Sequence, residues 1–194
     1  YIGELAKWGQ SLAPVANFLM HSRVLQTFRT MLGIAQKRSL PKFAPRSLSS
    51  QATTLWEAKR DEPVESVGSQ PAVIFLNDAF SEHFYPGAGV AGLKLLRAAQ
   101  VRVLRLPVEG AGRTLVSKGF LDAARNHAGR VVSALKAIDP LGELPVIGVE
   151  PSEIYTLCDE YLDLLPGDEY VKRLAERSYT IEEYLIRPYR NRGE

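Results

Sequence analysis

Pro71-Ala72-Val73-Ile74-Phe75-Leu76-Asn77-Asp78 is the stretch on which the fold turns. Five consecutive apolar residues, opened by proline and closed by Asn-Asp, are too short for a helix. They carry no polar alternation, so they read as a strand buried on both faces. Working outward, Val101 to Val108 and Pro145-Val146-Ile147-Gly148-Val149 repeat this texture. Helical segments separate the three runs. Val90 to Gln100 reads as one helix after a break at Pro86-Gly87. Leu121, Ala124, Ala128, Val131, Val132, Leu135 and Ile138 form an apolar stripe at spacings of three and four behind a cap at Ser117. Strands alternating with helices of this length predict an α/β fold: a parallel sheet of three or more strands, joined by right-handed crossovers and flanked by helices.

After the third strand, Glu150-Pro151-Ser152 opens a further helix with proline in its first turn, carrying Ile154, Leu157, Tyr161 and Leu164 up to the stop at Pro166-Gly167. Two more helical segments follow, the last with Thr180 and Glu183 in the spacing of a capping box. Before the first strand, residues 1–38 read as a helical segment. Its apolar positions are Leu5, Leu12, Val15, Phe18, Leu19, Val24, Leu25, Phe28, Met31 and Leu32, interrupted near Pro14 and at Gly33. Residues 39–70, with Pro41, Pro45 and Pro63, read as a linker or irregular wrap. Residues 71–194 read as the α/β domain.

Composition narrows the function classes. Apolar residues at 45% and charged residues at 24% fit a globular chain of 194 residues with one main core. The net charge is only +2, but the signs are uneven: positions 23–60 hold eight Lys/Arg against one acid, and positions 139–183 hold twelve acids against three Lys/Arg. No basic stripe with stacking aromatics and no nucleic-acid module accompanies this, so a nucleic-acid partner is not expected. A single cysteine, Cys158, excludes an internal disulfide. No apolar run reaches the ~18 residues of a membrane span. With no secretion signal either, the expected location is cytoplasmic. The chain opens at Tyr1 without methionine, which reads as a piece of a longer polypeptide.

In a parallel sheet, the loops leaving the carboxyl ends of the strands gather at one edge, where ligands bind. Here these are Asn77 to Tyr85, Glu109 to Arg113 and Glu150 to Glu153, and they direct Asp78, His83, Arg113, Glu150 and Glu153 to a common rim. Carboxylates with imidazole suit a hard metal, although the spacing matches no metal motif. Arg113 beside Gly110 and Gly112 suits an oxyanion, and an ion pair with Glu150 is the structural alternative. Gly110-x-Gly112 lacks the third glycine of a dinucleotide fingerprint. His83 reads as polar surface; His21 and His127 fall on helices and suggest no role. Ser152 lacks a partner histidine and reads as a capping residue.

The same loops carry a resemblance. Glu109-Gly110-Ala111-Gly112-Arg113-Thr114-Leu115-Val116-Ser117-Lys118-Gly119, continued by Leu121-Asp122-Ala123-Ala124-Arg125, resembles a motif in which two adjacent cysteines precede Gly-Arg and a Ser-x-Gly helix start. Val149-Glu150-Pro151-Ser152-Glu153 and the tract from Asp159-Glu160-Tyr161 to Pro166 resemble the Glu-Pro-Ser-Cys segment and the Asp-Glu-Tyr stretch beyond it. The family is the cysteine-rich (CCG-type) domain of FAD-linked oxidases, glycolate oxidase iron–sulfur subunits and heterodisulfide reductases. Leu76-Asn77-Asp78-Ala79-Phe80 is similar to the first loop of the fused FAD-linked oxidases. Leu12-Ala13-Pro14-Val15-Ala16-Asn17 and Leu40-Pro41-Lys42-Phe43-Ala44 are similar to their stretch upstream of this domain.

This resemblance implies a C-terminal domain of a flavin-dependent oxidoreductase acting on a small hydroxy acid. The FAD would lie in a flavin domain outside this chain, and a second CCG-like repeat of the same polypeptide would be a partner. It also implies an iron–sulfur site, and there the sequence departs. The positions matching the cluster cysteines are Gly110, Ala111 and Glu153. Clusters are held by several thiolates, which glycine and alanine cannot supply. Cys158, five residues past Glu153, reads as a helical packing residue. The expectation is therefore a scaffold or docking domain with the cluster ligands lost, without catalytic residues or a cofactor of its own. The alternative is a regulatory domain that binds a small molecule, anion or metal on the Arg113, Glu150 and Glu153 rim.

Overall fold

The computed structural model describes residues 2–22, 40–56 and 71–190. Its centre is a four-stranded parallel sheet of β1 (Ala72–Phe75), β2 (Arg102–Arg105), β3 (Val146–Gly148) and β4 (Ser178–Thr180), in the order β2-β1-β3-β4. Val73 lies opposite Val103, Ile74 opposite Val146 and Ile147 opposite Tyr179. The expected parallel α/β architecture is present. The fourth strand goes beyond the sequence pattern: Ser178-Tyr179-Thr180 is three residues long and mostly polar, and it is a strand because β3 offers it an edge.

The two-residue period of β1 divides the interior into two cores. Ile74 and Leu76 face one side with Leu106, Val131, Leu135, Ile154 and Tyr161. Val73 and Phe75 face the other with Leu48, Leu93, Leu96, Ile147 and Ile181. A continuous apolar strand is therefore the signature of two covered faces, as its sequence indicates.

The described helices are α1 (Ile2–Ser11), α2 (Ala13–His21), α3 (Leu48–Gln51), α4 (Ala79–His83), α5 (Pro86–Ala98), α6 (Arg113–Ser117), α7 (Leu121–Ile138), α8 (Pro151–Cys158), α9 (Glu160–Leu164), α10 (Glu169–Glu176) and α11 (Ile181–Arg190). Several boundaries differ from the sequence reading for local reasons. Pro86 starts α5 rather than breaking the chain before it, because proline needs no N–H partner in a first turn. Ser117 ends α6, its hydroxyl 3.4 Å from Thr114 O, and α7 begins after Phe120 with no side-chain cap. The long helix expected after Pro151 is two, broken at Asp159 (φ −121°, ψ −73°). The stripe of α7 is buried from Ala124 to Leu135, whereas Leu121 is exposed. The capping box at the start of α11 is present: Thr180 N donates to Glu183 Oε2 at 2.8 Å and Glu183 N to Thr180 Oγ1 at 3.3 Å.

Pro14 lies in the first turn of α2, and Leu12 just before that helix and Val15, Phe18 and Leu19 within it are exposed. The expected helical positions Val24, Leu25, Phe28, Met31 and Leu32 lie outside the described residues, as do positions 57–70 of the wrap and most of the basic stretch. The described part of the wrap is packed: Ser47 caps α3 by accepting from Ser50 N at 3.1 Å, and Leu48 and Ala52 are fully buried in the second core. Among the described residues no helix is long and apolar enough to cross a membrane.

Leu48→Ala should lower unfolding stability by about 2–4 kcal/mol through the cavity it leaves. Leu121→Ala should change it by less than ~0.5 kcal/mol. Urea denaturation of the two variants checks that the segment before β1 is part of the folded unit.

Candidate functional site

The strand order reverses direction between β1 and β3, so the segments leaving their carboxyl ends part to opposite faces and open a crevice there. The loop after β2 folds back to it. Gly110 N donates to Asn77 O at 2.8 Å, fixing Glu109 to Arg113 against the end of β1. Gly110 and Gly112 both have left-handed backbones, φ +64° and +90°. A Cβ on Gly112 would come within 2.9 Å of His127 Cδ2.

The residues on this turn hold it from every side. Glu153, in the first turn of α8 and 7% exposed, places Oε2 in the hollow of three backbone donors: Ala111 N at 2.6 Å, Gly112 N at 3.1 Å and Arg113 N at 3.4 Å. Consecutive N–H groups in such a turn make an anion cradle, and a carboxylate of the protein occupies this one. Tyr161 OH donates to Ala111 O at 2.9 Å. His127 donates from Nε2 to Gly110 O at 2.9 Å and accepts at Nδ1 from Arg130 at 3.0 Å, which fixes its neutral tautomer.

The three positions matched to cluster cysteines thus converge. A Cβ built on Gly110 would lie 3.3 Å from Glu153 Oε2, and Ala111 N is bonded to that same oxygen. An iron–sulfur cluster does not fit the groups present. Gly110 and Ala111 have no ligand atom, and Glu153 Oε2 is surrounded by donors. Cys158 directs Sγ to Ser178 O at 3.6 Å beside β4. Burial pushes the Cys158 thiol up to about 11, the ordinary signature of a packing cysteine.

The expected rim divides. Asp78 caps α4, with Oδ1 accepting from Phe80 N at 2.8 Å and Ser81 N at 3.0 Å, and Oδ2 from Ser81 Oγ at 2.6 Å. Burial raises its carboxyl above the usual range against those bonds, and the charge of Glu150 adds to the rise. Glu150 caps α8 by accepting from Ser152 N at 3.3 Å and Ser152 Oγ at 2.8 Å, so the cap is the glutamate and Ser152 is a donor to it. Arg113 pairs with Glu160, not with Glu150. His83 is buried rather than polar surface: Nδ1 donates to Gln10 Oε1 at 2.7 Å, and Nε2 faces Glu109 Oε2 at 3.2 Å. Among the described residues no three His, Cys, Asp or Glu side chains form a group able to hold a metal. His127 holds the turn although its helical position in the sequence suggests no role. Its one signal along the chain is its place within the apolar stripe of α7.

Burial also raises the Glu153 carboxyl above its ordinary value. The N–H groups of Ala111, Arg113 and Gly112 pull it back, and the Asp78 charge pushes the same way as burial. Burial lowers His127, with the neighbouring Arg130 acting in the same direction.

No protein-family model matches the chain, and no solved structure matches it. It is 27% identical over 158 residues to one of the subunits of the anaerobic glycerol-3-phosphate dehydrogenase of Escherichia coli strain K12, and equally to the same subunit of Escherichia coli O157:H7. The aligned part covers 80% of this chain but only 38% of either relative. The similarity supports a distant relationship to a dehydrogenase subunit.

Two variants separate the roles of Glu153. Glu153→Ala leaves three buried donors without an acceptor and should cost on the order of 3 kcal/mol in urea unfolding. Glu153→Gln retains an acceptor and should stay folded. Because the folded-state value is raised above the unfolded 4.5, this carboxyl contributes most to stability below pH 4.5 and loses that contribution as pH rises through the folded value. Glu153→Gln should remove that part of the pH dependence. A lowered His127 acts oppositely: its contribution is complete above the ordinary 6.5 and is lost as pH falls through the folded value. His127→Gln should therefore flatten the acid side of the profile. In a further check, iodoacetamide should alkylate Cys158 at about pH 8 far more slowly in the folded chain than after unfolding.

Proposed function

We propose that this chain is a scaffold and docking domain of a flavin-dependent oxidoreductase, descended from the cysteine-rich electron-transfer domain and closed over the place where that domain holds its cluster. The observation that carries the reading is the Glu153 carboxylate in the cradle of Ala111, Gly112 and Arg113 N–H groups. An internal anion satisfies the loop that sulfur and iron would otherwise organise, so the loop keeps its shape without a cofactor.

The distant similarity to a dehydrogenase subunit supports the oxidoreductase context. Redox chemistry would then reside in an FAD-binding domain beyond this chain, with a second CCG-like repeat as its neighbour. The substrate would be a small hydroxy acid handled at the flavin. A cytoplasmic location belongs to the same reading. The residues here supply position: the sheet edge, the capped helices α4 and α8, and the Arg113–Glu160 pair fix one rigid face at the crevice. The alternative rim of Arg113, Glu150 and Glu153 offers less, since each of the three is already engaged by Glu160, Ser152 or the loop backbone.

The test is anaerobic reconstitution of the purified chain with iron and sulfide. The expected product is colourless protein without stoichiometric iron, folded as before. A brown, reducible multi-iron centre that survives desalting would overturn the proposal.

A further inference from the structure

The first two helices carry two apolar faces, and the body of the fold covers one of them. On the covered face Ala6 and Ala13 are buried, and a Cβ on Gly9 would run into the Phe43 ring. Gln10 donates from Nε2 to Ala44 O at 3.2 Å and presents Oε1 to His83. The Asn17 amide exchanges two bonds with the Phe43 backbone, at 2.9 and 2.8 Å. Positions 6, 9, 10, 13 and 17 keep helical spacing through the break at Leu12, where Ala16 N still donates to Leu12 O at 2.8 Å. The two helices therefore form one bent rod, fastened along one side.

The other side is open. Trp8, Leu12, Val15 and Leu19 follow one another at spacings of four, three and four, with Phe18 beside them, and each of the five is between 53% and 75% exposed. Together they leave on the order of 600 Å² of apolar surface uncovered, the upper end of what a monomer presents in one patch. Charge is nearly absent: Glu4 and Lys7 are the only Asp, Glu, Lys or Arg between Ile2 and Ser22. The centre of a protein interface has this composition, aromatic and poor in charge, whereas a helix lying on a membrane surface is rich in Lys and Arg on its polar face. A helix already held along its back also needs little ordering before it binds.

We propose that this stripe joins two copies of the chain about a two-fold axis. Run antiparallel to itself, the stripe sets Trp8 against Leu19 of the second copy and Leu12 against its Val15, so the same residues serve both sides. Two copies that cover it remove about 1,200 Å² from water, the size at which specific interfaces begin. The low charge leaves little repulsion to oppose self-association. The pairing does not rest on the scaffold reading.

Sedimentation velocity of the full chain over a concentration series reaching about 200 μM tests it. The expected result is a shift from the mass of one chain to that of two, with a Kd of about 100 μM or tighter. Val15→Ser together with Phe18→Ser should raise that Kd at least about tenfold while the dilute chain keeps its unfolding midpoint. Leu141→Ser, at an exposed leucine outside the stripe, should leave the Kd unchanged. A photo-crosslinking amino acid in place of Ser11, in an equal mixture of chains with and without heavy nitrogen, should join one kind to the other. Predominantly single chains at the highest concentration would overturn the proposal, as would a dimer that the double variant leaves intact. So would crosslinks confined within one chain, which make the occupant a segment of that chain. Sedimentation of single chains with phosphatidylcholine vesicles would overturn it too, by making the occupant a lipid surface.

Discussion

One carboxylate oxygen, Glu153 Oε2, holds the carboxyl edge of this fold together. It lies in the first turn of α8 and accepts from three successive backbone N–H groups of a loop some forty residues earlier in the chain. Without an acceptor there, the left-handed turns at Gly110 and Gly112 would leave three donors buried and unpaired. Tyr161, His127 and Glu160 then complete the loop around that anion. Burial makes the charge costly, and the N–H cradle offsets part of that cost. The carboxyl is raised for this reason even though it accepts three bonds.

The Glu153 carboxylate thus satisfies the backbone donors that give this loop its shape. The positions matched to cysteines in the family that the chain resembles meet at one point, but the groups there are a hydrogen, a methyl and a carboxylate already surrounded by donors. The crevice at the reversal of strand order is where an open α/β sheet places its ligands. In this chain the Glu153 carboxylate occupies the backbone N–H cradle there, and a cavity of about 220 Å³ lined by Gly110, Gly112, His127 and Glu153 lies beside it.

A second cavity lies at the β1 and β2 ends, under α1. The acids that line it are engaged, Glu82 by Ser49 and Asn77 and Glu109 by His83. The N-terminal helix is thus more than an appendage of the sheet. Through Gln10 it orients His83 and walls the cleft, and through Asn17, whose amide donates to Phe43 O at 2.9 Å and accepts from Phe43 N at 2.8 Å, the following helix fixes the segment that leads into α3.

The sequence by itself determined the parallel α/β class, the three longer strands, the meeting of three loops at one edge and the lack of thiolates there. These follow from short-range pattern and from composition: a strand covered on both faces must be continuously apolar, and a residue without a ligand atom cannot gain one by folding. Only the tertiary structure decided the fourth strand, the break at Asp159, the choice of Glu160 over Glu150 by Arg113, and the burial of His83 and His127. It alone placed the Glu153 carboxylate in the loop. The physical reason is common to all of these. Ser178-Tyr179-Thr180 becomes a strand only when an edge is beside it, and a charged side chain selects its partner by distance in space. Pairs 42 or 47 residues apart in the chain, such as Glu153 with Ala111 or Glu160 with Arg113, leave no periodicity that a reading along the sequence could detect.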